Sequence, residues 1–181
     1  IGETSGFLWG LKIACSQIAV SEYFIRVCQG YKMDALEGKK MAKRPNMDVF
    51  QIGDSAEFSK TISEFDVYGF AGIVGDFYGV HLNEEYAKKT RFGKRIAQGA
   101  LSVGLISTVM GYMAGRVPEP GAVSYRYDIT FTAPVYIGDT LTARLDLTEK
   151  EEERNTCIFK ASVTNQDGKT VAEGRTYLKV L

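Results

Sequence analysis

The run at residues 97–115 most limits what this chain can fold into, because it is apolar almost all round and rich in small residues. This composition is typical of a helix that is buried on most sides. Gly99, Gly104 and Gly111 each cost about 1 kcal/mol of helix propensity relative to alanine. We expect close packing of the helix against a sheet to compensate for them.

Strand-like segments supply that sheet. Residues 56–62 precede the run, and Gln166–Lys169 has the composition of a tight hairpin turn. Four segments after the run alternate apolar and polar residues with a period of two: 123–132, 141–150, 156–165 and 170–180. The order of elements predicts an α+β fold in which an antiparallel sheet wraps around one long central helix.

Two shorter helices are predicted between the first strand and the long run. The helix at 64–74 has Ser63 as its N-cap, Asp66 as a weak capping-box partner and Gly75 as its stop signal. Residues 83–89 place acids at the start and lysines at the end of the other helix. We expect the apolar residues of the 64–74 helix to point inward, namely Phe65, Val67, Phe70, Ile73 and Val74.

Residues 1–46 are predicted to form an extension ahead of a main domain at 47–181. Residues 1–30 have a helical period, and 34–46 read as a polar, basic linker. Two interpretations stay open: a helix that docks on a hydrophobic surface, or an extension with little role. The apolar stretch at 7–20 is too interrupted to span a membrane, and we expect no signal peptide.

Charge and cysteine usage limit the partners. Twenty-two basic and twenty-two acidic side chains cancel, so we expect neither nucleic acid nor a membrane as a partner. The three cysteines, Cys15, Cys28 and Cys157, match neither a disulfide framework nor a zinc site. We therefore expect free thiols and a cytoplasmic protein that binds no metal.

Asp76 and the single histidine, His81, are the residues best suited to acid–base chemistry. We expect both in one loop between two helices, where they can reach the same spot. A neutral imidazole can take a proton from water and a carboxyl can return one, which suits addition or elimination of water. The alternative is a histidine that merely completes the core.

Gly99 opens the long helix, where backbone N–H groups lack partners inside the helix. Without a side chain, its N–H can approach a carbonyl oxygen and stabilise an oxyanion. The alternative is that the glycine only allows close packing, and the residues alone leave both open. Nucleophile-elbow, metal-cluster and phosphate-loop motifs are not found in the sequence.

Several motifs in the same order resemble the MaoC-like, (R)-specific enoyl-CoA hydratase family. Residues 75–87 read GDFYGVHLNEEYA and residues 92–99 read FGKRIAQG. Residues 131–141 (FTAPVYIGDTL) and 165–168 (NQDG) match the usual strand and turn motifs of the family. The resemblance covers residues 48–180.

This resemblance implies a hot-dog fold, as a homodimer or higher homo-oligomer, and reversible hydration of a trans-2-enoyl-CoA to the (R)-3-hydroxyacyl-CoA without a cofactor. It assigns activation and delivery of one water to Asp76 and His81, and oxyanion binding to the Gly99 N–H. Ser107 matches a helix serine near the active site of the family. Basic residues at 88–95 are expected to meet coenzyme A phosphates or to form a solvated face.

Two positions depart from the family pattern. Tyr78-Gly79 replaces a common Asn-Pro pair, and Gln98 replaces a histidine. We expect these changes to alter the pocket wall. Tyr78 is therefore a further candidate for substrate binding. Two alternative functions stay open: an acyl-CoA thioesterase of the same fold, and a non-catalytic acyl-CoA-binding module.

Overall fold

A computed structural model describes residues 45–181, which fall within a single compact unit. The predicted helix at 1–30, nearly all of the predicted linker at 34–46, and Cys15 and Cys28 lie outside the described residues. The last two linker residues begin a 3-10 helix, Pro45–Val49. The domain boundary at residues 46 and 47 stays a prediction.

The described chain combines five strands with four helices, as an α+β protein. The helices are α1 (Glu64–Val74), α2 (Gly79–Leu82), α3 (Glu84–Ala87) and α4 (Gly99–Ala114). The strands are β1 (Ser55–Thr61), β2 (Ala122–Phe131), β3 (Thr140–Glu151), β4 (Thr156–Thr164) and β5 (Thr170–Val180). All five predicted strands are therefore confirmed to within a residue or two.

The strands form one antiparallel sheet in the order β1-β3-β4-β5-β2. Its three central strands alternate in burial, because one face lies against the core and the other faces solvent. On the core face, Leu145, Phe159, Ala161 and Leu178 are completely buried. The two outer strands, β1 and β2, are more exposed.

The long helix α4 packs on the core face of this sheet, as predicted. The side chains that it buries recur at helical spacing: Ser102, Leu105, Ile106, Val109, Met110 and Met113. The expectation of burial on most sides is wrong for the described chain, since Gly104, Ser107, Gly111 and Tyr112 are exposed. A sheet covers only one side of a helix, and here nothing in residues 45–181 covers the other side fully.

The helix α1 has the predicted termini. The Ser63 hydroxyl accepts from the Asp66 N–H while the Asp66 carboxylate accepts from the Ser63 N–H, and Gly75 ends the helix with φ of 80°. Its predicted core face is wrong, however. Only Val67 and Ala71, one turn apart, are buried, while Phe65 and Ile73 are more than 80% exposed. An all-round apolar helix does not reveal which face contacts the core.

An arginine joins the segments around the site. The Arg95 guanidinium donates to both carboxylate oxygens of Glu64 and to the Tyr68 hydroxyl, and its Nε donates to Glu84 at 3.2 Å. These partners, chiefly Glu64, raise the pKa of Arg95 well above its ordinary value. The segment that precedes α4 is thereby linked to the start of α1 and to α3.

Candidate active site

His81 occupies α2 with 12% of its side chain exposed. The sequence predicted a loop here, but residues 79–82 form one helical turn. Nδ1 of His81 lies 2.8 Å from the carbonyl oxygen of Ile96. Because a carbonyl oxygen can only accept, the neutral imidazole carries its proton on Nδ1 and donates it to Ile96. Nε2 is then the unprotonated atom that can take a proton from water.

Asp76 lies directly after the left-handed Gly75, which turns the chain away from α1. Its Oδ2 is 3.8 Å from Nε2 of His81, and its Oδ1 accepts from the Tyr78 N–H at 3.3 Å. The 3.8 Å gap is too long for a direct hydrogen bond, but both atoms can contact one water. The carboxylate is 40% exposed, so solvent can supply that water.

A cavity of about 290 Å³ opens beside the imidazole. It brings together His81 from α2, Gly99 and Ser102 from α4, and apolar side chains from the ends of β2 and β5. Pockets of this kind, apolar with a few polar groups, are typical of small-molecule sites. The apolar lining includes Phe92, Ile96, Phe131, Val135 and Val171.

Gly99 is the first residue of α4, and its N–H is among those that have no partner inside the helix. The N-cap residue, Gln98, makes no side-chain capping bond. A Cβ at position 99 would lie only 3.1 Å from the ring of Phe131. A glycine is therefore needed for close approach of the ring, and the same lack of a side chain leaves the N–H accessible to a ligand oxygen.

Three predicted site residues, Asp76, Tyr78 and Ser107, lie outside the cavity lining. Asp76 is beside the cavity through its approach to His81, whereas Ser107 is on the exposed side of α4. Tyr78 is 56% exposed; its hydroxyl is 3.0 Å from that of Tyr86, and its ring meets His81 edge-on with centroids 6.1 Å apart. The roles of these three residues stay predictions.

Gln98, which was expected to alter the pocket wall, is not part of the cavity lining either. It is buried, and its Nε2 donates to the Val67 carbonyl at 3.4 Å.

Ser102 is one of the cavity residues that the sequence interpretation missed. It is 2% exposed and lines the cavity one helical turn after Gly99. Helical spacing could have found it, since residues three apart share a face. Phe131 and Val171 were missed for another reason: strand pairing far along the chain brings them to the site.

The basic residues at 88–95 differ in what they contact. Lys88 pairs with Glu85 at 2.7 Å, and Arg95 is held by its two glutamates. Arg91 lines the cavity, is exposed, and lies 4.9 Å above the Phe92 ring. Across residues 45–181 it meets no carboxylate within ion-pair distance, which leaves its guanidinium available to an anion.

Other kinds of site find little support in the described part of the chain. No group of three or more His, Cys, Asp or Glu side chains is arranged there to hold a metal ion. Burial raises the pKa of Cys157 to about 11, so this thiol stays protonated and unreactive near neutral pH. Among the described helices, none combines the length and hydropathy needed to span a bilayer.

Comparison with known proteins identifies the family. The family model of the MaoC like domain matches residues 49–169. An (R)-specific enoyl-CoA hydratase of Rhodospirillum rubrum is 44% identical over 128 residues, which are 71% of this chain and 86% of that protein. A 3-hydroxybutyryl-CoA dehydratase of Methylorubrum extorquens is 38% identical, over 72% of this chain and 80% of its own.

The fold is shared with solved structures. The R-hydratase PhaJ1 from Pseudomonas aeruginosa superposes with a TM-score of 0.65 and is 36% identical over 75% of this chain and 84% of that one. The predicted hot-dog fold and the prediction of a hydro-lyase enzyme are thus confirmed. The chain belongs to the MaoC-like dehydratase family.

Proposed function

We propose that this protein catalyses the reversible, (R)-specific addition of water to a trans-2-enoyl-CoA. The observation that carries the proposal is the His81 imidazole, whose Nδ1–H is committed to the Ile96 carbonyl so that Nε2 is a base beside Asp76. The named activities of the 44% and 38% identical relatives support the reaction class and the stereochemistry.

The chemistry follows from the positions of three groups. A water held by Nε2 of His81 and Oδ2 of Asp76 gives a proton to the imidazole as its oxygen bonds to the β-carbon. The electrons of the double bond move to the thioester oxygen, which the Gly99 N–H stabilises as an enolate. The proton then passes from the pair to the α-carbon, so that one water has been added.

Known magnitudes show that these groups suffice for a large acceleration. A positioned general base contributes about 100- to 10,000-fold, and an oxyanion donor about 100- to 1000-fold. The addition involves no net oxidation or reduction, and the thioester itself activates the double bond. We therefore propose that no cofactor takes part.

Coenzyme A as the acyl carrier is supported by Arg91. An exposed guanidinium at the cavity, stacked near Phe92 and with no carboxylate of residues 45–181 in ion-pair distance, suits the phosphates of this carrier. Arg95, which the sequence grouped with Arg91, is occupied by Glu64 and Glu84. We assign the phosphate contact to Arg91 alone among the arginines of this segment.

We also propose a homodimer. β2 is an outer strand of the sheet, and Val123, Tyr125 and Phe131 on it are about half exposed. A long outer strand with exposed apolar residues offers unpaired backbone groups to a second chain. The exposed apolar side chains of α1, such as Phe65 and Ile73, are further surface that a second copy can cover.

The test is loss of enoyl-thioester absorbance with crotonyl-CoA, with chiral analysis of the product and a thiol reagent in a parallel sample. Hydration gives (R)-3-hydroxybutyryl-CoA and no free thiol. Release of thiol without hydration would support the thioesterase alternative. Thermal stabilisation by the acyl-CoA without turnover would support the binding module.

A further inference from the structure

Ser102 has a hydroxyl that makes no hydrogen bond within residues 45–181. The residue as a whole is 2% exposed, but its Oγ is not fully enclosed: the described chain holds one fully enclosed unpaired side-chain atom, Gln98 Oε1. Two residues that are buried to the same extent behave differently, since the hydroxyls of Thr156 and Thr176 each donate to a backbone carbonyl at 3.2 Å. Ser102 lines the cavity, so its unpaired hydroxyl is available to hydrogen-bond a ligand there.

The position of Ser102 on α4 directs this hydroxyl toward Gly99. Residues three apart on a helix lie on one face, separated by about 4.5 Å along the axis. The Cα–Cβ bond tilts toward the helix N-terminus, so the Ser102 side chain covers the turn that begins at Gly99. Since Gly99 has no Cβ, no side chain at position 99 stands between the Ser102 hydroxyl and the part of the cavity next to the Gly99 N–H.

We infer that Ser102 donates a second hydrogen bond to the thioester oxygen, beside the Gly99 N–H. This assignment rests on the proposed hydration. Negative charge grows on that oxygen when water adds, so a preorganised O–H donor acts mainly on the transition state. The serine keeps its proton throughout and forms no bond to the substrate carbon.

The experiment compares wild type with Ser102→Ala on crotonyl-CoA and on the crotonyl thioester of N-acetylcysteamine, which lacks phosphates. With both substrates kcat should fall at least tenfold while KM stays within about threefold, because the lost bond belongs to the transition state. The Tm should not fall, since no protein hydrogen bond is lost and alanine is the better helix former. Ser59→Ala removes an exposed hydroxyl bonded to Thr142 and should leave kcat unchanged.

Three results would separate the possibilities. Unchanged kcat in Ser102→Ala, with an active wild type, overturns the inference and leaves the proposed function intact. A loss of kcat accompanied by a Tm lowered by several degrees also overturns it, because the hydroxyl would then be structural. If the wild type hydrates neither thioester, the proposed function itself fails.

Discussion

Replacing Gly99 with alanine should remove activity while leaving the fold nearly as stable. The added Cβ would lie 3.1 Å from one atom of the Phe131 ring and 3.2 Å from two others. Distances in this range require a shift of a few tenths of an ångström. Phe131 ends β2 and is 52% exposed, so its ring has room to move.

Two opposing terms set the stability of this variant. Alanine in place of glycine favours a helix by up to about 1 kcal/mol, and relief of the tight contact costs about the same. For a chain of this size 1 kcal/mol corresponds to about 2–4 °C in Tm, so we expect a change of less than about 3 °C. A thermal melt followed by circular dichroism measures it.

The effect on catalysis should be far larger. The new methyl group crowds the N–H that meets the thioester oxygen, and the displaced ring narrows the cavity. Loss of an oxyanion donor lowers kcat by about 100- to 1000-fold, or about 2.7–4 kcal/mol of transition-state stabilisation. The crotonyl-CoA absorbance assay measures it directly.

Gly111→Ala is the matched control, because it lies on the same helix, is exposed, and a Cβ there meets nothing within 4 Å. It should keep full activity and gain stability. A Gly99→Ala enzyme with kcat within threefold of wild type would refute the role of the Gly99 N–H. If Gly99→Ala unfolds, the expectation that the gain in helix propensity offsets the cost of moving the Phe131 ring is wrong.

Three further variants test other groups. His81→Ala should lower kcat by at least 100-fold in the hydration assay, because the base that takes the water proton is lost. Arg91→Ala should raise KM for crotonyl-CoA about tenfold and leave KM for the N-acetylcysteamine thioester unchanged, since only the former carries phosphates. Asp66→Asn should lower Tm at pH 7, and the difference from wild type should shrink as the pH is lowered in the acid range. Burial opposes ionisation of Asp66, but hydrogen bonds from Ser63 and Lys60 outweigh it and lower its pKa, so its stabilising effect is full above its ordinary pKa of 3.8 and declines as pH falls from there through the lowered pKa of the folded state.

Each of these three predictions has a result that would contradict it. His81→Ala with unchanged kcat would remove the histidine from the mechanism. For Arg91, the control is Lys88→Ala, whose ammonium is already paired with Glu85. An equal change in KM for both thioesters would place Arg91 at the acyl group instead of the phosphates. For Asp66, a Tm difference that stays constant as the pH is lowered from 7 through the acid range would mean that the ionised carboxylate is not responsible.

The sequence was sufficient to predict most of the architecture. Period-two alternation located the four strands after α4, the strand-like segment 56–62 located β1, and glycine and serine signals located the ends of α1. It failed for the orientation of α1, because apolar residues surround that helix and periodicity cannot select the face that Val67 occupies. For the site, local motifs and the resemblance singled out Asp76, His81 and Gly99. The structure places His81 and Gly99 at one cavity with Asp76 beside His81, and the roles of all three stay predictions.

Interactions between distant segments were not readable from the sequence. The bond from His81 to the Ile96 carbonyl depends on how α2 packs against the approach to α4. Phe131 reaches the site only because β2 pairs with β5 at the edge of the sheet. For Ser102 the missing information was which side of α4 faces the sheet, because only then does helical spacing from Gly99 separate the buried Ser102 from the exposed Ser107.

The position of Phe131 links the edge of the sheet to the kinetics of the enzyme. This residue ends the outer strand β2, lines the cavity, and touches the space that a side chain at position 99 would fill. A second copy that associates along β2 would constrain the same ring. Specific activity should then depend on enzyme concentration, falling on dilution with a lag as subunits separate. Dilution assays would thus report association through the rate of turnover.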